Sequence, residues 1–233
     1  MKIIGELPIR REGESFMIHV TSEIKPLKKV LLHRPGKELL NLTPDTLERL
    51  LFDDIPYLPD AIKEHDEFAS ILRDQGIEVV YLEDLMAEVL EISDDIKAKF
   101  LRQFIYEAGI RTPKYKNLVF EYLYEMQDMK ELVLKTMEGI QIGELDRAKR
   151  EIEKSLVDLV SEESKFIADP MPNLYFTRDP FASIGNGVAL NKMFSVTRNR
   201  ETIYAEYIFE YHPDFKDQVP KYYDRYLPHH IEG

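Results

Sequence analysis

The stretch Asp169-Pro170-Met171-Pro172-Asn173-Leu174-Tyr175-Phe176-Thr177-Arg178-Asp179-Pro180 sets three prolines among an asparagine, an arginine and two aspartates. Proline locks φ and removes a backbone donor, so such a stretch keeps a defined path outside regular structure. A rigid loop that carries Asn, Arg and Asp can offer a ligand both charge and hydrogen bonds. The plainer reading stands beside it, since an aspartate before a proline is an ordinary turn residue. Two further acidic positions are equivocal in the same way. Asp53-Asp54 follow the apolar run Leu50-Leu51-Phe52 and lead into Ile55-Pro56, which on its own describes a solvated helix end. Glu232, before Gly233, is in isolation only a terminal acid.

Other chemistries are disfavoured. The 233 residues contain no cysteine, so they hold no disulfide, thiolate metal site or cysteine nucleophile. His229-His230 point to opposite faces of an extended chain and lack further ligands at useful spacing, so no metal is expected. His33, His65 and His212 read as structural or surface groups. Gly185-Asn186-Gly187 lacks the lysine and helix of a phosphate loop and fits a hairpin turn better.

The elements that would position these residues fall into three stretches. Residues 1–16 are mixed and charged, and read as a loose extension. From 17 to 83, Lys29-Val30-Leu31-Leu32-His33 is a buried strand ended by Pro35-Gly36. A helix follows with Thr43 as cap and Pro44 at its first position. A second helix starts near Pro59-Asp60 and ends at Gly76, and Ile77–Leu82 is a strand. From 84 to 165 helical stretches follow one another without strands: Leu85 to Ala108, one opened by Thr112-Pro113, and Glu144 to Val160. Alternation giving way to helices alone suggests an inserted helical subdomain. From Phe166 strands return, with a hairpin across Gly185-Asn186-Gly187 whose glycine and asparagine are expected to supply positive φ. Glu201 to Tyr211 is a helix ended by His212-Pro213.

Length, composition and charge bound the function. The chain is long enough for one good core or two small ones, 44% of its residues are hydrophobic and 32% are charged. No apolar run approaches a membrane span, and Met1-Lys2-Ile3-Ile4-Gly5-Glu6 does not begin a secretory signal, so a cytoplasmic location is expected. A formal charge of −12 without a basic stripe disfavours nucleic acid.

Several segments, in order, resemble arginine deiminase. They are Leu27–Gly36, Glu48–Pro56, Lys63-Glu64-His65-Asp66, Met171–Pro180, Ile184–Gly187, Thr197-Arg198-Asn199-Arg200-Glu201-Thr202 and Ile231-Glu232-Gly233. The proline-rich and arginine-rich motifs carry most of the specificity. The resemblance implies an α/β fold, a partial pentein β/α-propeller of αβ modules about a pseudo-fivefold axis, with an inserted α-helical subdomain. On that frame 1–16 is an extension, 17–83 the first module, 84–165 the insertion, and 166–233 a second module truncated at its C-terminal end.

The activity implied is hydrolysis of L-arginine to L-citrulline and ammonia, without metal or organic cofactor, through a covalent cysteine thiouronium. A guanidinium is a planar cation with five donors, well matched to carboxylates that accept two donors each. By resemblance Asp179 is one such carboxylate, and Glu232 is the acid that orients a catalytic histidine. Asn173 and Arg198 hold the α-carboxylate and amine end, Phe176 is an aromatic wall, and Leu51 places main chain near the substrate. The matching histidine, second aspartate and cysteine are expected beyond Gly233, so the chain is expected to be inactive alone; the resemblance also implies a homo-oligomer when complete. Two alternatives remain open: a non-catalytic arginine-binding half or partner of a separate C-terminal chain, and another guanidine-modifying pentein such as an amidinotransferase or dimethylarginine hydrolase.

Overall fold

The computed structural model describes residues 18–148 and 165–231. The 1–16 extension, Glu232 and most of the expected Glu144–Val160 helix lie outside those residues.

Strand β1 (Lys29–Leu32) pairs in parallel with β2 (Glu78–Tyr81), Val30 opposite Val79 and Leu31 opposite Val80. Parallel neighbours need a crossover. Helices α1 (Pro44–Leu50) and α2 (Leu58–Asp74) supply it. The start of α1 is as expected, with Pro44 in the first turn and the Thr43 backbone N–H donating to Thr46 Oγ1 at 2.9 Å. Its end is abrupt: Leu51 adopts φ 56°, ψ 47°, the left-handed conformation that more often falls to glycine at a helix end. The α2 end is the ordinary case, with Gly76 at φ 75°.

The helical stretch begins directly after β2 and differs from the expectation at three points. The single helix expected over Leu85–Ala108 is two, α3 (Leu82–Glu91) and α4 (Asp94–Glu107). Ser93 causes the break: its Oγ accepts from the Ile96 N–H, and Asp94 and Asp95 place negative charge in the first turn of α4. After α5 (Pro113–Tyr124) comes α6 (Met129–Glu138), a helix not anticipated individually. A two-residue strand, β3 (Ile140–Gln141), then pairs antiparallel with β4 (Phe166–Ala168), so the stretch is not wholly free of sheet. Helix α7 (Ile142–Ala148) is the described part of the third expected helix.

The last sheet has strand order β5 (Phe181–Ile184), β6 (Gly187–Leu190) and β7 (Lys221–Tyr223). The β5–β6 hairpin is as expected, but only Gly185 takes positive φ in its turn; Asn186 Oδ1 instead accepts from His19 Nδ1 at 2.7 Å. β7 runs parallel to β6, which again requires a crossover. It consists of α8 (Val196–Asn199), a 3-10 turn at Arg200–Thr202 and α9 (Ile203–Tyr211), where one helix over Glu201–Tyr211 had been expected. Ile203, Tyr204, Ala205, Tyr207, Ile208 and Phe209 of α9 are all buried, so this helix sits inside the structure rather than on it.

One apolar core runs through both the helical stretch and the strands. Leu85, Met86 and Val89 of α3, Phe100 and Phe104 of α4, Leu132 and Met137 of α6, Val188 and Leu190 of β6, and the α9 residues belong to it. Phe100 joins the two regions: its ring lies 6.0 Å from that of Tyr204 and 5.4 Å from that of Tyr207. A smaller core of Leu39, Leu42 and Leu50 lies under α1. No described helix is long and apolar enough to cross a membrane.

Candidate functional site

The loop between β4 and β5 takes one compact 3-10 turn, Pro172–Tyr175, and is otherwise irregular, as three prolines require. Irregular backbone must find its hydrogen bonds elsewhere, and this loop is held from several sides. The Met171 N–H donates to the Met137 carbonyl at the end of α6 at 2.9 Å. Arg200, buried, donates from Nη2 to the carbonyls of Asp169 and Pro170 at 2.5 and 2.7 Å. Arg49 of α1 pairs with the Asp169 carboxylate. The Thr177 hydroxyl donates to the Leu31 carbonyl of β1 at 3.1 Å, and Asn191 Nδ2 donates to the Asp179 carbonyl at 2.7 Å.

Within this frame Asn173 is 3% exposed and its Nδ2 donates to the Leu50 carbonyl at 2.8 Å. That bond ties the loop to the end of α1, where Leu51 turns the chain into Phe52-Asp53-Asp54. A cavity of about 490 Å³ opens between the two segments. Leu51, Phe52, Asp53 and Asp54 wall one side, and Asn173, Tyr175 and Phe176 the other. Its aromatic floor is ordered by ring contacts: Tyr175 and Phe176 have centroids 4.0 Å apart, and Phe52 meets Tyr175 edge-on at 6.1 Å.

Asp179 and Arg198 do not line this cavity. The loop turns between Phe176 and Asp179, where the Asp179 N–H donates to the Phe176 carbonyl at 3.0 Å. Tyr175 marks the junction. Burial raises its phenol above the usual value; the charge of Arg198 opposes this, and those of Asp53 and Asp179 add to it. The cavity acid and the ion pair thus act on one ring.

The ion pair is a triad. Arg198 Nη2 donates to Asp179 Oδ2 at 2.9 Å and to Glu201 Oε2 at 3.1 Å, while Arg198 Nε donates to Glu201 Oε2 at 3.1 Å. Arg198 and Glu201 lie three residues apart, the separation that brings side chains onto one helix face. The Glu201 side chain is 2% exposed, that of Arg198 14% and that of Asp179 25%. Burial pushes the Glu201 carboxyl up to about 7 against the opposing pull of Arg198 and Arg200. Burial lowers the Arg198 guanidinium, but Glu201 and Asp179 outweigh it, so the group is held as a cation.

The residues singled out from sequence therefore divide. Leu51, Asn173 and Phe176 share the cavity wall, Asp179 and Arg198 form a pair outside that lining, and Glu232 lies outside the described residues. Its neighbour Ile231 bridges to Lys192 next to β6. Glu201, Arg200 and Asp53 had no role assigned to them from sequence. The Arg198–Glu201 spacing signals the pair, but burial of both is a tertiary fact. Asp53 is exposed just past the end of α1, as read from the sequence, and also lines the cavity. Among the described residues no three His, Cys, Asp or Glu groups cluster as a metal site would need.

Fold and site together define an α/β protein whose polar site is built on a proline-fixed loop, with an aromatic cavity on one side and a carboxylate–guanidinium pair on the other. Comparison with known proteins narrows the class. The sequence model of the arginine deiminase family matches residues 48–233, and the chain belongs to that family. It is 57% identical over 217 residues to the arginine deiminase of Treponema denticola, and 57% identical over 216 residues to those of Streptococcus agalactiae and Streptococcus uberis. Each alignment covers 93% of this chain and 52% of the relative, so the chain spans about half the length of the curated relatives it matches.

Proposed function

We propose that this chain is part of an arginine deiminase, which converts L-arginine and water to L-citrulline and ammonia. The observation that carries the reading is the Asp179 carboxylate, held on a rigid loop and already bonded to a guanidinium, that of Arg198. A site that binds one guanidinium in a partly buried setting has the chemistry to bind another.

In this reading Asp179 takes the substrate guanidinium, Asn173 and Arg198 hold its α-carboxylate and amine end, and Phe176 and Leu51 close the aromatic side against water. A thiolate attacks the guanidinium carbon; the C–N bond to the leaving nitrogen breaks, and that nitrogen departs as ammonia after taking a proton from a histidine. Water, deprotonated by the same histidine, then displaces the sulfur and leaves the ureido group of citrulline. Glu232 orients that histidine. The thiolate comes from sequence outside these 233 residues, which have no cysteine. The reading includes a pentein β/α-propeller, with modules at 17–83 and 166–233 and the helical insertion at 84–165, in a cytoplasmic homo-oligomer. The insertion favours a deiminase over an amidinotransferase or a dimethylarginine hydrolase.

The test is to express the complete gene product and measure citrulline and ammonia formed from free arginine, with dimethylarginine and an amidine acceptor as competing substrates. Equimolar citrulline and ammonia from arginine alone supports the reading; amidino transfer or preference for dimethylarginine overturns it.

A further inference from the structure

We propose that Arg198 is a built-in stand-in for the substrate's guanidinium: it occupies Asp179 in the empty site, and only a ligand carrying both a guanidinium and a carboxylate exchanges for it, while Glu201 keeps it anchored through the exchange. The inference rests on the functional reading above and adds to it a basis for selectivity.

Three observations point this way. First, the carboxylate assigned to the substrate's cation is not free, because Arg198 Nη2 already donates to its Oδ2 at 2.9 Å. A second guanidinium cannot take Asp179 in full until the first withdraws. Second, the hold is partial. Arg198 uses one nitrogen on one oxygen, and Asp179 Oδ1 has no hydrogen-bond partner among the described residues. An incoming guanidinium that bonds both oxygens in parallel forms the stronger, two-pronged contact. Third, Arg198 has somewhere to stay. Its Nε and Nη2 both reach Glu201, whose side chain is 2% exposed and shares no bond with Asp179. Arg198 can let go of Asp179 without leaving a buried cation unpaired, which would otherwise be costly.

Charge balance then decides which ligands enter. A bare guanidinium compound in place of Arg198 on Asp179 leaves Nη2 with Glu201 alone, one carboxylate where it had two. A ligand with a carboxylate at its other end supplies the second, so one internal pair becomes two intermolecular pairs. A site occupied by its own side chain binds ligand with an affinity reduced by the fraction of time it is open. That reduction falls on every guanidinium compound, but only those with a carboxylate recover it. Glu201 sets the size of the effect. With its charge removed, Asp179 becomes the remaining carboxylate for Arg198, and the stand-in is held more firmly. Protonation of Glu201 does the same. The charged and titratable groups that face it are Arg198 and Arg200 from its own segment, Asp179 from the loop before β5, and Tyr204 from α9.

The experiment compares wild type, Arg198→Ala and Glu201→Gln in the complete gene product, with calorimetric binding of agmatine, a guanidinium without a carboxylate, and steady-state turnover of L-arginine. Arg198→Ala is expected to bind agmatine about tenfold tighter than wild type while its KM for arginine rises by about tenfold or more. Glu201→Gln is expected to raise the arginine KM by about tenfold with kcat changed by less than about twofold, and Glu201→Asp to restore most of it. The KM of wild type rises as pH falls from 8 to 6, and that of Glu201→Gln does not. If Arg198→Ala does not fold, Arg198→Gln, which keeps length and polarity without charge, carries the same expectation. Agmatine and arginine weakened alike by loss of Arg198 would show it to be an ordinary contact and would overturn the proposal. Absence of arginine turnover in wild type refutes the functional reading instead, and the agmatine comparison still judges whether Arg198 blocks Asp179.

Discussion

At the scale of single residues, the proposed chemistry depends most on Asp179. It is the carboxylate that the loop presents and Arg198 occupies, and its replacement leaves the guanidinium of any ligand without its charge partner. Breaking a buried ion pair from one side costs on the order of 3 kcal/mol or more, which is about a hundredfold or more in kcat/KM. Asp179→Ala in the complete gene product should therefore lose turnover at least to that extent while its far-UV circular dichroism stays that of wild type; turnover near the wild-type rate would remove Asp179 from the mechanism. His33 gives a second residue-scale expectation, in stability instead of activity. It was read from sequence as a structural or surface group, and it is buried between two carboxylates, Glu83 at 2.9 Å from Nδ1 and Glu38 at 3.2 Å from Nε2. Burial alone lowers its imidazole, but the bonds to Glu38 and Glu83 win, and it is raised from 6.5 to about 9. A group raised in the folded state adds stability that is fully present below its unfolded value and is lost as pH climbs through the folded one. Stability should thus fall from pH 6.5 to 9 by on the order of 3 kcal/mol through this group. His33→Gln should be less stable by about 3 to 5 kcal/mol near pH 6.5, a deficit that shrinks towards pH 9 because the melting temperature of the variant lacks that slope. An identical slope in both proteins would assign the effect elsewhere.

At the scale of elements, the segments with local punctuation were legible in the sequence and those defined by tertiary contact were not. Thr43-Pro44 marks the start of α1, Gly76 the end of α2, Thr112-Pro113 the start of α5, and Gly185 the hairpin, each because the residue itself restricts or frees the backbone. The break at Ser93 was missed although serine followed by two aspartates is a local signal, because the apolar spacing of α3 and α4 runs on in phase across it. The strands β3 and β7 are two and three residues long and exist only through their partners, so no period could reveal them. The candidate site divides likewise. The loop with Asn173, Phe176 and Asp179 announces itself by its prolines, whereas Glu201 and Arg200 act through burial and through carbonyls distant in sequence. Gly139 is the joint at which these elements meet. It closes α6 with φ +86°, and a Cβ there would lie 2.7 Å from Pro170 N and 2.8 Å from the Ala168 carbonyl oxygen. Neither backbone atom can yield without moving the strand that leads into the site loop. Gly139→Ala should combine positive-φ strain with that clash and cost about 2 kcal/mol or more, lowering the melting temperature by about 4 to 8 °C. It should also raise the arginine KM of the complete gene product, because Met171, next to Pro172-Asn173, hangs from the carbonyl of Met137, two residues before Gly139. A drop in melting temperature with unchanged KM would mean that α6 does not set the loop's position.

At the scale of the whole molecule, the described residues hold one half of the proposed reaction. In the proposed reaction they would supply a carboxylate for the cation, an asparagine and an arginine for the other end of the substrate, and an aromatic wall, and the larger core from α3 to α9 packs beside the loop that carries all of these but the arginine. They do not supply the group that attacks. A guanidinium is stabilised by resonance, and attack on its carbon near neutral pH calls for a nucleophile such as a thiolate, whereas the 233 residues contain no cysteine. A serine would need a base poised to take its proton. Of the described histidines, His33 is locked between Glu38 and Glu83, His212 is fully buried against Glu88, and His230 rests on the Met193 carbonyl, so none of these three is aimed at the Asp179 pair. Binding should be weak as well. The Asp179 side chain is 25% exposed, and water screens a charge pair formed there. Further apolar side chains lie exposed, with Phe194 at 75% and Val196 at 90%, so the chain on its own should self-associate through such surface. The purified 233-residue chain, incubated with millimolar arginine beside the complete gene product, is therefore expected to form no citrulline above the buffer rate and to elute from a sizing column ahead of a monomer. Citrulline formed at even one hundredth of the rate of the complete protein would require a nucleophile among these residues that the proposed mechanism does not contain.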